Sequence, residues 1–202
     1  MIAISKHPKL DKQDVIGACV RLPVSFDVDK LIRDFQSISP SLWGSRGGRV
    51  GVHVQAEAVF LRGYAPAEGD LPIEDRAVLE QLPYAKHLIH HLFEAQPMRC
   101  LFAKLSANGQ VPLHIDRGEY FEKTIRIHLP IVTNPKAKMF VGGKEFSMQV
   151  GESWVINNCS IHGVINAHES EARTHMICDY LPSDKLLKLL SDGDHDLGIK
   201  TQ

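Results

Sequence analysis

Two residues near the middle of the chain, His114 and Asp116, stand one residue apart in 112-PLHIDRGEY-120. On a strand, residues two apart point to the same face, so an imidazole and a carboxylate would share one space and could bind one metal ion. Alone, the pair reads equally well as two solvated strand-end groups, because H-x-D recurs by chance. A third ligand must come from elsewhere, and 159-CSIHGVINAHESEARTH-175 offers His162, followed eleven residues later by Arg173.

Two histidines and one carboxylate on one face of an octahedral ion leave three positions open, the arrangement used for oxygen chemistry at non-haem Fe(II). Two of those positions suit a chelating 2-oxo acid and the third suits dioxygen. Arg173 then has a task, because a planar guanidinium can hold the far carboxylate of a dicarboxylate cosubstrate. The competing reading makes His162 a hydrogen-bonded strand histidine and pairs Arg173 with Glu169 or Glu171 at the surface.

These residues need a scaffold. With 202 residues the chain is long enough for one domain with a substantial core. Helical spacing appears in 27-DVDKLIRDFQSI-38, where Val28, Leu31, Ile32 and Phe35 follow a capping aspartate, and again over residues 73–94 and in 183-SDKLLKLLS-191. A serine- and glycine-rich loop is expected at 39-SPSLWGSRGGR-49, then a strand at 50-VGVHVQAEAVFL-61. From about 98 to 181 the pattern has period two, with strands predicted at 99–105, 111–116, 124–132, 137–143, 144–150, 153–157, 161–166 and 173–181. Gly142 and Gly143 between two short alternating runs signal a tight hairpin, since both accept positive φ. Many short strands of this kind predict a mainly β protein with flanking helices, built on a jelly-roll barrel with an internal site at its mouth. One unit spans 1–202: an N-terminal part to 97, a barrel core over 98–181, and a C-terminal helix and tail over 182–202.

Charge narrows the partners. The 23 basic and 24 acidic residues give a net charge of -1, with no excess to meet a phosphate backbone or an anionic lipid surface, so a small-molecule partner is expected rather than nucleic acid or membrane. The first fourteen residues place a lysine and a proline where a signal peptide carries its apolar core, and no apolar run reaches membrane-spanning length, so a cytoplasmic location is expected. Cys19, Cys100, Cys159 and Cys178 are scattered without a C-x-x-C pair and read as reduced thiols.

The run from about 98 to 181, some two-fifths of the chain, resembles the Fe(II)/2-oxoglutarate-dependent dioxygenases of the aspartyl/asparaginyl β-hydroxylase-like superfamily. Within them it is most similar to the amino acid hydroxylases of the proline cis-4-hydroxylase type. The resemblance is carried in order by 106-SANGQVPLHID-116, 124-TIRIHLPIVTNP-135, 151-GESWVINN-158 and 161-IHGVINAHESEARTH-175. It implies a double-stranded β-helix of the cupin-like kind, with Fe(II), dioxygen and 2-oxoglutarate, the last converted to succinate and CO2. It also implies that His114, Asp116 and His162 are the iron ligands and that Arg173 anchors the distal carboxylate of 2-oxoglutarate. Strand parity puts Arg126 and His128 on one face. The family places an arginine and a histidine there, which implies His128 against a 2-oxoglutarate carboxylate and Arg126 against a substrate carboxylate; a pair between Arg126 and an acid on a neighbouring strand is the alternative. The aspartyl/asparaginyl hydroxylases proper have glycine where this chain has Asp116. That carboxylate aligns the chain with the small-molecule branch and argues against a halogenase, which needs the position for a halide.

Other residues have weaker claims. Trp43 and Arg46, in the glycine-rich loop, read either as a lid over the substrate or as a packed surface loop. His175 shares the face of Arg173, Asn157 and Asn158 read as turn residues leading into His162, and the helical pair His87 and His91 in 86-KHLIHHLF-93 reads as a surface feature. The expected function is hydroxylation of a free or modified amino acid or similar small carboxylate. The alternatives are hydroxylation of an Asp, Asn or other residue in a peptide, and a non-catalytic cupin-like binder of a metal or small molecule.

Overall fold

The strand Ile125–Val132 alternates Ile125, Ile127, Leu129 and Ile131 with Arg126 and His128, yet all six of these side chains are buried. A strand covered on both faces with apolar residues on one and ionisable ones on the other must divide a core from a polar interior. The rest of the molecule is arranged around that division. The computed structural model describes Ile4, residues 7–47 and residues 51–201. Residue 50 of the predicted strand, residues 48–49 of the predicted loop and most of the first six residues lie outside them.

The described elements run α1 (Lys12–Val15), β1 (Cys19–Arg21), α2 (Val28–Gln36), β2 (Gly44–Ser45), β3 (Ala56–Arg62), α3 (Pro83–His91), β4 (Pro97–Leu105), β5 (Gly109–His114), α4 (Glu119–Lys123), β6 (Ile125–Val132), β7 (Ala137–Val141), β8 (Lys144–Phe146), β9 (Trp154–Ile156), β10 (His162–Asn166), β11 (Arg173–Tyr180), α5 (Asp184–Ser191) and β12 (Ile199–Lys200). The strands form two antiparallel sheets, a large one ordered β1-β9-β6-β11-β4-β3-β2 and a small one ordered β12-β8-β7-β10-β5. This is the expected mainly β, jelly-roll architecture of a double-stranded β-helix.

The helices cover the outer face of the large sheet. Leu31 of α2, Leu88 and Ile89 of α3, and Leu186 and Leu190 of α5 pack on Ile127, Leu129, Phe102 and Met176 in one apolar cluster. Capping follows the sequence signals: the Asp27 side chain accepts from the Lys30 N–H, and Ser183 from the Leu186 N–H. Between the sheets a second apolar cluster joins Ala56, Leu105, Trp154 and Ile156 of the large sheet to Val111, Met139, Val141 and Val164 of the small one. That cluster fills one end of the sandwich and leaves the other to polar side chains. Gly142 and Gly143, at φ of 56° and 76°, make the β7–β8 turn, with Val141 paired to Lys144.

Three expectations are corrected. The helix predicted over 73–94 is a 3-10 turn at Ala77–Gln81 followed by α3, because Pro83 cannot donate into a preceding turn and sits instead at the start of a new helix. The strand predicted to begin at residue 50 begins at Ala56, after a turn closed by the Ala56 N–H donating to the His53 carbonyl. The strand predicted over 111–116 ends at His114, so parity does not position Asp116. The short elements β1, β2, β12, α1 and α4 carry no clear pattern of their own.

β10 lies between β5 and β7, and at Gly163 the neighbouring backbone comes close. A Cβ there would meet the Val111 carbonyl oxygen at 2.8 Å and the Leu113 nitrogen at 3.1 Å, neither of which can move without breaking the sheet. Gly163→Ala should therefore cost roughly 1–3 kcal/mol. In a chain of this size that lowers Tm by roughly 2–12 °C. Thermal denaturation followed by circular dichroism checks it, and an unchanged Tm would show that the close approach is not real.

Candidate metal centre and its two chambers

His114 ends β5, and His162 opens β10 directly opposite it, the two being Cα partners across the strand pair. The imidazole centroids are 4.1 Å apart. Each ring nitrogen Nδ1 faces a backbone carbonyl two residues earlier, Pro112 at 2.8 Å for His114 and Ser160 at 2.9 Å for His162. A carbonyl only accepts, so Nδ1 carries the proton in both rings and the lone pair is on Nε2, the tautomer needed for metal ligation. Burial, partly offset by Asp116, pushes His162 down to about 4, so it is neutral at ordinary pH.

Asp116 lies past the end of β5, where its N–H donates to the Asn158 carbonyl at 3.0 Å. Its carboxylate is held by side chains. Oδ2 accepts from Arg126 Nη1 at 2.6 Å and from Asn158 Nδ2 at 3.1 Å, while Oδ1 is 3.7 Å from His114 Nε2. Burial raises the carboxyl, but Arg126, with His162 and Asn158, more than reverses this and holds it well below the usual range. Ligand atoms of His114, Asp116 and His162 all lie within 4.8 Å of one another.

Arg126 also donates to Asp179 on β11, from Nε at 2.8 Å and Nη2 at 3.0 Å. The guanidinium that the family resemblance set against a substrate carboxylate therefore gives three donors to two carboxylates of the protein, which is the alternative arrangement. Asp179 shares its strand face with Arg173, His175 and Ile177, so its burial was legible in the alternation of 173-RTHMICDY-180. Asn158 was read only as a turn residue, and its amide instead links Asp116 to Lys12 Nζ, which donates to Asn158 Oδ1 at 2.6 Å. That link joins residues 146 apart in the chain and has no local signal.

A cavity opens beside the histidine pair, and His114, His162, His128, Arg46 and Arg173 line it with residues of the inter-sheet cluster. Arg173 is buried and, among the described residues, has no carboxylate partner; Glu169 and Glu171 pair elsewhere, with Lys136 and His168. Its Nη2 donates to His175 Nδ1 at 3.0 Å. Burial lowers the guanidinium to about 9, which still leaves it charged at neutral pH. Burial, with Arg173 adding to it, keeps His175 and His128 neutral. The buried Nε2 atoms of His128 and His175 have no hydrogen-bond partner among the described residues.

A second cavity lies on the other side of the carboxylate and is lined by Asp116, Glu68, Arg46, Arg99 and Arg126 with Phe60, Leu101 and Phe121. Trp43, read as part of a lid or of a packed surface loop, lines neither cavity. After the 3-10 turn Pro40–Leu42 its indole packs edge-on with Phe35, ring centroids 5.9 Å apart, and Lys104 Nζ lies over its ring. His87 and His91 lie on the exposed side of α3. Cys19, Cys100 and Cys178 are buried free thiols and Cys159 is a half-buried one. Among the described residues no helix is long and apolar enough to cross a membrane.

No curated protein matches the chain. Its fold is similar to that of an oxidoreductase of the 2OG-Fe(II) oxygenase family from Burkholderia pseudomallei, with 14% identity, a TM-score of 0.58, and coverage of 84% of this chain and 87% of that one. It is also similar to SnoN, a non-heme α-ketoglutarate-dependent epimerase of nogalamycin biosynthesis, with 12% identity, a TM-score of 0.53, and coverage of 84% and 80%. At these identities the likeness concerns the fold. Residues 60–182 match the family model described as aspartyl/asparaginyl beta-hydroxylase, a span that takes in both sheets' central strands and every side chain of the His-Asp-His cluster. With that span more than half of its length, the chain belongs to the aspartyl/asparaginyl β-hydroxylase family of enzymes.

Proposed function

We propose that the protein is an Fe(II)/2-oxoglutarate-dependent hydroxylase of a free or modified amino acid or similar small carboxylate, forming succinate and CO2 from its cosubstrate. One observation supports this above the others. A buried guanidinium, Arg173, faces the same cavity as the histidine pair and is held by a neutral imidazole instead of a carboxylate. A guanidinium buried without a counterion is costly. It suits an anionic ligand that enters with its charge, and 2-oxoglutarate has a carboxylate to spare after its 2-oxo acid end has chelated a metal.

The donor set fits the metal. Two imidazoles and one carboxylate from His114, His162 and Asp116 suit Fe(II), which when bound supplies the activation of dioxygen against the 2-oxo acid. The protein's own part is positioning. Pro112 and Ser160 fix the histidine tautomers, and Arg126 with Asn158 turns one oxygen of Asp116 toward His114. Arg173 anchors the far carboxylate, and His128 lines the same cavity. The apolar residues between the sheets exclude water from that end.

Adding Fe(II) and then 2-oxoglutarate anaerobically should produce a visible metal-to-ligand charge-transfer band, which is absent in His114→Ala and His162→Ala. The same variants should lose substrate-dependent succinate formation, and either variant keeping the band would remove that histidine from the site. Arg173→Ala should raise the 2-oxoglutarate concentration needed for the band by roughly ten- to a hundredfold, the worth of a charge-assisted hydrogen-bonded pair. His175→Asp keeps Arg173 oriented but neutralises it, so it should weaken 2-oxoglutarate at least tenfold while His175→Asn, a neutral acceptor, stays nearer the parent. Equal affinities in the two His175 variants would show that the neutrality of this partner does not matter.

A further inference from the structure

The second cavity brings three guanidinium groups together, and among the described residues carboxylates answer only one of them at close range. Arg126 is matched by Asp116 and Asp179. Asp179 already takes Arg126 Nε, Arg126 Nη2 and the Tyr120 hydroxyl, which donates at 3.1 Å. Arg99 therefore gets only a distant approach, its Nη2 lying 3.7 Å from Asp179 Oδ2. Its Nε is buried with no hydrogen-bond partner among the described residues, and its guanidinium lies over the Tyr120 and Phe121 rings, 5.7 and 5.9 Å from their centroids. Arg46, on the loop after β2, has no carboxylate partner among the described residues. Burial first, then the like charges of Arg126 and Arg99, lower it to about 9.

Clustered guanidinium groups repel one another in a low-dielectric interior and are stable together only around an anion. Arg46, Arg99, Arg126 and Arg173 face three carboxylates, the interior Asp116 and Asp179 and the exposed Glu68 on the wall of the second cavity, so among these groups one positive charge is in excess. His53, which lines both cavities, is pushed down to about 2, first by burial and then by Arg46, and adds no charge at neutral pH. A divalent metal entering with doubly ionised 2-oxoglutarate cancels itself, so the excess persists once the first cavity is filled. Phe60, Leu101 and Phe121 give the remaining wall an apolar stretch, which the exposed Glu68 also lines and which borders Asp116 of the His-Asp-His cluster.

We infer that the second cavity is the substrate site and that Arg99, with Arg46, clamps the carboxylate of a small acid whose apolar body lies along Phe60, Leu101 and Phe121 toward Asp116. This rests on the proposed 2-oxoglutarate chemistry only for the word substrate; the site itself is an acid-binding site with or without turnover. Arg99 is then a specificity-determining residue. A free carboxylate is required, and an acid capped as an amide is refused because it leaves two guanidinium groups buried without an anion.

The test is calorimetric titration of the Ni(II)-loaded protein, first with 2-oxoglutarate and then with paired probes: 4-methylpentanoate, L-leucine, L-phenylalanine and L-proline, each against its own amide. At least one acid should bind tenfold or more tighter than its amide. Arg99→Gln should remove that preference by weakening the acid at least tenfold and leaving the amide within about twofold, with Arg99→Lys recovering part of it. The preference would be overturned if no acid binds, if acid and amide bind alike, or if Arg99→Gln weakens both equally. Thermal melts of both variants separate loss of the clamp from loss of the fold. Failure of 2-oxoglutarate to bind in the first titration would sink the proposed function alone, since the acid-over-amide comparison is read independently of it.

Discussion

The buried guanidinium of Arg126 is the contact on which the rest of the site depends. It sits on β6 opposite Asp179 on β11, and it reaches Asp116 beyond the end of β5, so one cation ties both sheets' contributions together. A pair of this kind repays its desolvation only when the geometry is good and the remaining donors and acceptors are met. Here they are, by Tyr120 on Asp179 and Asn158 on Asp116. Losing the cation would leave two carboxylates buried without their charge partner, a cost of roughly 3–5 kcal/mol. More to the point, Asp116 would lose what turns its oxygens, because no strand holds it.

Three arginines on neighbouring strands are used in three different ways, and the difference lies in the partner. Arg126 is bound to carboxylates and its charge is spent inside the protein. Arg173 is bound to a neutral imidazole, which orients the guanidinium without cancelling it. Arg99 is supported by aromatic faces and a distant carboxylate. The first can stiffen a metal cluster, while the second and third keep charge for a ligand. A count of arginines in the barrel would not separate these roles.

The His-Asp-His cluster lies on the partition between two cavities, His114 and His162 lining one and Asp116 the other. In the proposed enzyme this gives the cosubstrate and the substrate separate approaches to one metal. It also explains why β6 must be covered on both faces. Its outer residues, Ile125, Ile127, Leu129 and Ile131, anchor the sheet to the helices, and that rigidity holds Arg126 and His128 against the two cavities.

Much of this was legible from residues alone. Period two over 98–181 determined strands, the strand number determined a barrel or sandwich, and Gly142–Gly143 determined a hairpin. Parity along β6 and β11 put Arg126 with His128 and Arg173 with His175 before any contact was known, because side chains alternate whatever the sheet packs against. Identity of residue type did the same for His114, Asp116 and His162 as candidate ligands. Only the tertiary structure could decide partners. Asp116 left its strand and was caught by Arg126 and Asn158, Lys12 arrived from 146 residues away, and Trp43 packed against Phe35. Periodicity is a local property of the backbone, whereas which acid answers which guanidinium depends on how separate strands meet, and that meeting is written in no single segment.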